Sequence, residues 1–254
     1  NQTNNSAGGS GAAYILKLDT TTGVWSQTAY IKASNIGGDD LFGSSVSISG
    51  NYAIVGAVGE DSTDTFVGDS GAAYIFERNT DDTWSEKAYL KSSNINSADY
   101  FGNSVSISGN YAIVGVYFAN TTVDDSGEVY IFERNGSGNW IEKASLKASN
   151  LGGGDRFGTS VSISGNYAIV GAIGEGSNSI TDQDDNTALG SGAAYIFERN
   201  GSGVWNQTAY LKASNIGEGD NFGTSVSISG NYAIVSAQRS EERRVGKECR
   251  SRWS

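Results

Sequence analysis

The 254-residue chain contains no His, Met or Pro and has a single Cys, Cys249. These absences exclude zinc sites that need His or several Cys, Ser-His-Asp triads and Cys-His nucleophiles. One Cys also excludes an intramolecular disulfide framework. No apolar run approaches the ~20 residues that span a bilayer, so we expect no membrane insertion.

The last sixteen residues, 239–254, depart abruptly from the composition of the preceding chain. They resemble the in-frame translation of a short-read sequencing adapter; the alternative is a basic tail for anions or nucleic acid. We favour the artefact and set this segment aside, as fusion scars are. Without its six Lys/Arg and three Glu, 11 basic and 25 acidic residues remain, a net charge of −14. That charge would repel phosphates, so we expect no nucleic-acid partner.

A segment that begins with Phe-Gly recurs four times, at residues 42–57, 101–116, 157–172 and 222–237. A companion segment, which reads Ser-Gly-Ala-Ala-Tyr-Ile-Leu in its first copy, occurs at residues 10–16, 70–76, 126–132 and 191–197. A Trp lies 17 positions before each Phe-Gly. Such a repeat indicates stacked or radially arranged units.

Each repeat predicts four short antiparallel strands. Phe42–Ser49 alternates apolar and hydroxyl residues, as a half-buried strand does. Gly50-Asn51 then predicts a tight hairpin to the apolar strand 52–57. Segments 71–78 and 84–92 predict a third strand and a more polar fourth strand. Four strands per repeat are typical of a β-propeller blade. A β-sandwich is the runner-up, but it would not predict near-identical units.

The motifs Phe-Gly-x-Ser, Ile-Val-Gly-Ala and Gly-Ala-Ala-Tyr-Ile-Phe resemble the FG-GAP repeats of integrin-α-like propellers. The likeness is to the bacterial variety, with Ser-Gly-Asn between the first two strands, and it covers residues 11–237. It implies blades that begin at Phe-Gly, and hence an all-β, incomplete β-propeller with three whole blades and two half blades. The whole blades are about 40–93, 99–149 and 155–214, and the half blades are 11–33 and 220–237.

The chain begins at Asn1, inside the repeat pattern. We interpret residues 1–10 as the end of a fragment whose upstream part, with any signal peptide, is missing. Complete integrin-type propellers of this family have seven blades, so missing blades of its own chain are expected partners. Otherwise the two halves pair with each other or leave exposed strand edges.

Integrin-type repeats often hold calcium in an Asp- and Asn-rich loop between the first and second strands. This chain has only Ser49–Asn51 and its equivalents there, too few oxygens for the six to eight that calcium takes. A separate candidate is Asp182, Asp184 and Asn186, whose oxygens alternate as at the start of a calcium loop. Thr187 and Ala193 stand where that loop needs Gly and Glu, so we favour a solvated acidic loop and keep calcium as the alternative.

Acidic residues cluster in two sets of loops that we expect to open on one face. The loops between second and third strands hold Glu60, Asp61, Asp64, Asp69, Asp124, Asp125, Glu175, Asp182, Asp184 and Asp185. The links between blades hold Asp39, Asp40, Asp99, Asp155, Glu218 and Asp220. Variable loops on a rigid scaffold commonly carry binding function, so the pattern predicts a negative binding face.

Other recurring residues favour structural roles. One acid stands two residues before every Phe-Gly, as Asp40, Asp99, Asp155 and Asp220, and predicts an Asx turn that starts the inner strand. The recurring Trp25, Trp84, Trp140 and Trp205 are expected to pack between blades rather than to bind sugar. The recurring Asn35, Asn94, Asn150 and Asn215 are expected in turns.

We therefore predict a non-enzymatic, secreted or cell-surface binding module, in line with the adhesion and matrix roles that the resemblance implies. Its partner would be a protein or glycan, and no catalytic or cofactor-binding residue is assigned. One alternative is a carboxylate-based glycosidase, which needs two acids. Another is a set of spacer repeats in a large surface protein. A unique acid pair in a pocket would favour the enzyme, and exposed acids on one face would favour binding.

Overall fold

The computed structural model describes residues 7–61, 68–94, 96–121 and 123–240. The elements in this part of the chain are sixteen β-strands in five sheets. Three sheets have four strands joined in chain order, and two sheets have two strands. The predicted all-β fold class, a β-propeller of four-stranded antiparallel blades with two half blades, is confirmed.

The half blades are β1 (Ala13–Asp19) with β2 (Val24–Ile31), and β15 (Phe222–Ser229) with β16 (Tyr232–Ala237). The first four-stranded sheet contains β3 (Phe42–Ser49), β4 (Tyr52–Ala57), β5 (Ala72–Arg78) and β6 (Trp84–Leu90). The next contains β7 (Val105–Ser108), β8 (Tyr111–Val116), β9 (Glu128–Arg134) and β10 (Trp140–Leu146). The last contains β11 (Phe157–Ser164), β12 (Tyr167–Ala172), β13 (Ala193–Arg199) and β14 (Trp205–Leu211).

The chain divides into two compact units. The first comprises Asn1–Val116 and Tyr130–Ala144, and the second comprises Tyr117–Val129 and Ser145–Ser254. The segments 1–6, 62–67 and 241–254 lie outside the described residues, and with them lie Asp64 and most of the proposed adapter segment.

Gly50 and Asn51 form the two-residue hairpin that the sequence predicts. Ser49 pairs with Tyr52, and Gly50 has a φ of +58°. A positive φ at the first central position suits the type II′ turn, whose twist matches that of the flanking strands. The next strand, β4, is buried along most of its length because its small apolar residues lie in the middle of the sheet.

The two repeat motifs meet at a joint between successive sheets. Gly11 forms an isolated parallel bridge with Phe42, and the Phe42 amide donates to the Ser10 carbonyl at 3.1 Å. Gly11 has a φ of +76°, and a Cβ there would run into the Phe42 carbonyl. Only glycine tolerates both the conformation and the close approach. The same bridge joins Gly71 to Phe101, Gly127 to Phe157 and Gly192 to Phe222.

In the three four-stranded sheets, the Phe of Phe-Gly packs on the third strand of the same sheet. The Phe42 ring meets Tyr74 and Phe76 edge-on, with centroids 5.4 and 6.0 Å apart. Phe157 meets Tyr195 and Phe197 in the same way. Each Phe therefore anchors its inner strand to the hydrophobic core while its backbone forms the joint to the preceding sheet.

The Trp residues behave as the sequence predicts where a neighbouring sheet is present. In the first unit, the Trp140 ring packs edge-on against Tyr52 of the preceding sheet, at 5.8 Å. Trp84 packs against a cluster that the first half blade and the next sheet share. Trp205 is also buried, whereas Trp25 on β2 is 65% exposed. The predicted packing between blades is thus confirmed for Trp84 and Trp140.

Candidate binding face and the buried carboxylates beneath it

The loop after each second strand and the link between sheets lie side by side. In the first unit, the amides of Ala98 and Tyr100 donate to the carbonyls of Gly68 and Asp69, at 3.1 and 3.3 Å. In the second unit, equivalent bonds join Gly154 to Asp124 and Gly219 to Leu189. The two sets of loops therefore share a face in each unit, as the sequence predicts.

Only part of the predicted acidic set is exposed on this face. The exposed members are Asp39, Asp61, Asp69, Asp124, Asp182, Asp184 and Glu218. Two more, Asp125 and Asp185, are half-buried. The prediction is wrong for the buried members Asp40, Glu60, Asp99, Asp155, Glu175 and Asp220. Their carboxylates form internal bonds that support the loops, so they add no exposed carboxylate to the surface.

Glu60 is the centre of a buried polar cluster in the first unit. Its carboxylate forms an ion pair with Lys91 and accepts hydrogen bonds from Tyr89 Oη and Asn35 Nδ2, both at 2.8 Å. The Tyr74 hydroxyl donates to Asn35 Oδ1 at 2.7 Å. A buried carboxylate is tolerated only when it is paired and hydrogen-bonded in this way.

The second unit repeats this cluster around Glu175. Lys212 Nζ lies 2.6 Å from Glu175 Oε2, and Tyr210 Oη donates to Glu175 Oε1 at 3.0 Å. The Ser177 amide also donates to this carboxylate, at 3.0 Å. Burial lowers the pKa of Lys212 and raises the pKa values of Tyr195 and Tyr210 above their ordinary range. The cluster therefore holds one ion pair among hydroxyl groups that stay protonated.

The sheet of β7–β10 also has a buried carboxylate, but a residue at a different position supplies it. Ala119 stands where the other sheets have Glu60 and Glu175, and Glu128 stands where they have alanine. Glu128 is buried, pairs with Lys147 at 3.3 Å and accepts a hydrogen bond from Ser145. Ser145 replaces the Tyr89 of the earlier sheet, which leaves room for the relocated side chain. The lysine, unlike the carboxylate, occupies the same position in all four repeats, as Lys32, Lys91, Lys147 and Lys212.

The recurring Asp before each Phe-Gly closes the turn that precedes it. Asp40 Oδ2 accepts the Gly37 amide at 2.6 Å, and Asp155 Oδ2 accepts the Gly152 amide at 2.8 Å. Asp99 does the same for Asn96. The predicted structural role is supported, but the bond runs back to the residue three positions earlier. An Asx turn leading forward into the strand is therefore wrong.

Asp155 has the pKa of a candidate acid catalyst but not the exposure. Burial, together with the neighbouring Glu175 carboxylate, raises the pKa of Asp155 to about 6. Perturbed carboxyl pairs are typical of hydrolase sites. Here both side chains are buried, and burial also raises the pKa of Asp40 beside Glu60 in the other unit. Recurrence and burial together identify a structural pair.

The loop 177–189 carries the residues proposed for calcium. Its carboxylates cap local turns: Asp182 Oδ1 accepts the Asp184 amide at 3.2 Å, and Asp185 Oδ1 accepts the Thr187 amide at 2.9 Å. Asn186 Nδ2 donates to the Asp184 carbonyl at 3.4 Å. Across the described residues, no three Asp, Glu, His or Cys side chains converge as a metal site would need. A solvated acidic loop stays the prediction here, with calcium at Asp182, Asp184 and Asn186 as its untested alternative.

Repeated four-stranded sheets joined through Phe-Gly and Ser-Gly motifs define a β-propeller repeat protein. The family model described as FG-GAP repeat matches residues 25–76, 84–132, 140–197 and 205–248. The chain therefore belongs to the FG-GAP repeat family. Each match begins at the recurring Trp, and the first three end in the third strand of the next sheet, so each spans one joint.

A comparison with curated proteins gave no significant match. Within the described part of the chain, no helix has the length and apolar character needed to cross a bilayer. Membership of the FG-GAP repeat family is therefore the most specific classification that the similarity to known proteins supports.

Proposed function

We propose that this chain is a non-enzymatic, extracellular or cell-surface binding module that uses its acidic loop face. FG-GAP propeller modules often occur in surface and adhesion proteins, which supports this class. The observation that carries the proposal is the division of the loop acids. The buried ones are committed to internal bonds, whereas Asp39 and Asp69 in the first unit, and Asp124 and Asp184 in the second, expose carboxylates on loops.

The partner that suits this face is a protein with a basic surface. Exposed carboxylates attract Lys and Arg and raise association rates at low ionic strength. Lys and Arg residues are outnumbered by acids in the chain as a whole, 17 against 28. We therefore expect affinity that falls steeply as salt is added.

Two alternatives have less support. A glycosidase needs two accessible carboxyl groups of different protonation state, whereas Asp155 and the neighbouring Glu175 are both buried. A spacer role in a large surface protein would use the repeats without the loops. If the repeats serve only as spacers, removing the charges of the loop carboxylates should leave binding of a basic partner unchanged.

A pair of charge-matched variants tests the proposal. The loop variant carries Asp39→Asn and Asp69→Asn, two exposed loop positions, so each variant loses two negative charges. The control carries Asp19→Asn and Asp81→Asn, in turns outside the two loop sets, where Asn keeps the turn-capping oxygens. Binding to an immobilised decalysine peptide is measured by interferometry at 50 and 150 mM salt.

The loop variant should bind the peptide at least about tenfold more weakly than the native chain, a difference of ~1.4 kcal/mol. The control should lose much less. Equal losses in both variants would mean that only net charge matters, and the acidic face would not be a site. Binding unchanged in the loop variant would favour the spacer.

A further inference from the structure

The residue before each Phe-Gly has the same left-handed backbone conformation in all four copies. Its φ lies between +55° and +57° in Leu41, Tyr100, Arg156 and Asn221. Backbone hydrogen bonds hold this conformation from both sides. The Arg156 amide donates to the Asp125 carbonyl at 3.1 Å, and the Arg156 carbonyl accepts the Thr159 amide at 3.1 Å. The side chain at this position is therefore not what sets the backbone.

The residue types at this position are not those that the backbone favours. A left-handed conformation is unfavourable for most residues, whereas Gly adopts it freely and Asn at low cost. Two other positions of the joint also have a positive φ, and Gly occupies each of them in two of four copies. They are Gly9, Asp69, Asp125 and Gly190, and Asp39, Ala98, Gly154 and Gly219. The position before Phe-Gly never has Gly, yet it has Leu, Tyr and Arg. Residues kept under such strain cluster at functional sites.

In the second unit, this residue is an exposed arginine that lies over an aromatic ring. The Cζ atom of Arg156 is 5.3 Å from the ring centroid of Phe118, and Phe118 stacks on Tyr117 with centroids 4.2 Å apart. None of the ion pairs among the described residues involves Arg156, although Asp124 and Asp125 belong to the same loop as Phe118. A guanidinium over a ring keeps its N–H groups available for a carboxylate.

The aromatic pair distinguishes this loop from its equivalents. Phe118 stands where the other two whole sheets have Gly59 and Gly174. A Cβ on either glycine would run into the backbone of the neighbouring link. The loop after β8 must therefore take a different course to hold a ring. The copy that has Arg before Phe-Gly is thus also the copy whose adjoining loop has an aromatic residue at this position.

We propose that Arg156, positioned by Phe118, is the anchor through which the acidic face of the second unit binds a carboxylate of its protein partner. This inference rests on the proposed function and makes the partner surface more specific. Basic residues opposite the exposed Asp124 would adjoin one carboxylate opposite Arg156. Arg and aromatic residues are enriched among those that dominate the energy of interfaces, and Arg binds a carboxylate through two parallel hydrogen bonds. An acidic side chain and the end of a chain both supply that group.

Three lysine peptides test the anchor on the full chain, by interferometry at about 150 mM salt. The Glu peptide has eleven lysines around one central Glu, and the Gln peptide has ten lysines around one central Gln. Both are amidated at the C-terminus, so their net charges match and the Glu side chain is the only carboxylate. The third peptide is the Gln peptide with a free C-terminal carboxylate.

The native chain should bind the Glu peptide at least about threefold more tightly than the Gln peptide. Arg156→Gln should weaken binding of the Glu peptide and strengthen binding of the Gln peptide, because the loss of a positive charge favours a basic ligand that does not use it. Arg199→Gln removes the same charge from the end of β13 and should affect both peptides alike. Phe118→Leu changes no charge and should reduce the preference, because the guanidinium loses its ring.

The outcomes separate the anchor from the proposed function. Equal binding of all three peptides by the native chain would overturn the anchor and leave the proposed function intact. A preference for the Glu peptide that persists in Arg156→Gln would also overturn the anchor. A preference only for the free C-terminus, lost in Arg156→Gln, would assign the carboxylate to a chain end. Binding of none of the peptides would overturn the proposed function and the anchor with it.

The stability of a further variant tests whether Arg156 serves the fold instead. Arg156→Asn copies Asn221, which has the same backbone conformation in the fourth copy. The thermal midpoint of this variant should stay unchanged or rise, because Asn adopts the left-handed conformation more readily than Arg. A fall of more than about 4 °C would show that the fold needs the arginine, and it would overturn the proposal.

Discussion

Lys212 Nζ and Glu175 Oε2 lie 2.6 Å apart, and each side chain is only 1% exposed. Breaking a buried ion pair from one side leaves an uncompensated charge in a region that excludes water. A substitution that removes either charge of this pair should therefore cause a large and measurable loss of stability.

Lys212→Met should destabilise the chain by about 3–5 kcal/mol, because Glu175 would stay buried without its counter-ion. Urea unfolding at pH 7 measures this loss. The matched control is Lys143→Met, whose partner Glu133 lies 3.5 Å away at the surface. That control should cost ~1 kcal/mol or less. Equal losses of stability in the two variants would show that the buried ion pair contributes no more than the surface pair.

One sheet has its buried carboxylate at Glu60, and the next has it at Glu128. Giving the sheet of β3–β6 the arrangement of the sheet of β7–β10 tests whether both arrangements are stable in the same sheet. Ala72→Glu alone places a second buried carboxylate beside Glu60 and should cost more than ~3 kcal/mol. The triple change Ala72→Glu, Glu60→Ala and Tyr89→Ser copies the sheet of β7–β10 and should recover most of that loss. Thermal melts compare the variants. A triple variant as unstable as the single one would mean that the relocation depends on other residues.

Protonation of the buried Asp155 carboxyl group should make the fold more stable in mild acid than at neutral pH. Burial raises the pKa of Asp155 from 3.8 to about 6, so the folded chain binds its proton more readily than the unfolded chain. Its contribution to stability therefore grows as pH falls from 6 towards 4, and the charged form opposes folding above pH 6. Asp155→Asn should add about 1–3 kcal/mol at pH 7 and little at pH 4.

The opposite sign is expected for Asp185. A hydrogen bond from Thr187 lowers the pKa of that carboxylate, so Asp185→Asn should lose stability at pH 7 and should not gain any. Chemical denaturation at pH 4, 5, 6 and 7 separates the two cases. A stability of Asp155→Asn that follows the native pH profile would contradict the assignment.

The joint between sheets should be sensitive to a single methyl group. Gly71→Ala adds a Cβ at a φ of +76° that would overlap the Phe101 carbonyl. Gly50→Ala has a similar positive φ but open space around the Cβ. The hairpin change should cost ~1 kcal/mol from backbone strain alone, and the joint change clearly more. Hydrogen exchange of the Phe101 amide would localise the damage.

The repeat, the strands and the β-propeller fold class could be predicted from the sequence because their signals are local. Alternating residues in Phe42–Ser49, the Gly50-Asn51 turn and the regular return of Phe-Gly each fix backbone geometry over a few positions. The packing of Trp140 against Tyr52 could also be predicted from the repeat, because a recurring residue meets the adjoining sheet wherever that sheet is present.

Which acids are available for binding was decided by tertiary structure. Glu60 and Asp61 are neighbours in the sequence, yet one is buried against Lys91 and the other is exposed. The exposure of Tyr14, against the burial of Tyr74, depends on whether a neighbouring strand is present. The sequence alone determined the repeating units and their joints, because these are local. The location of charge and uncovered apolar surface depends on contacts between residues far apart in the chain.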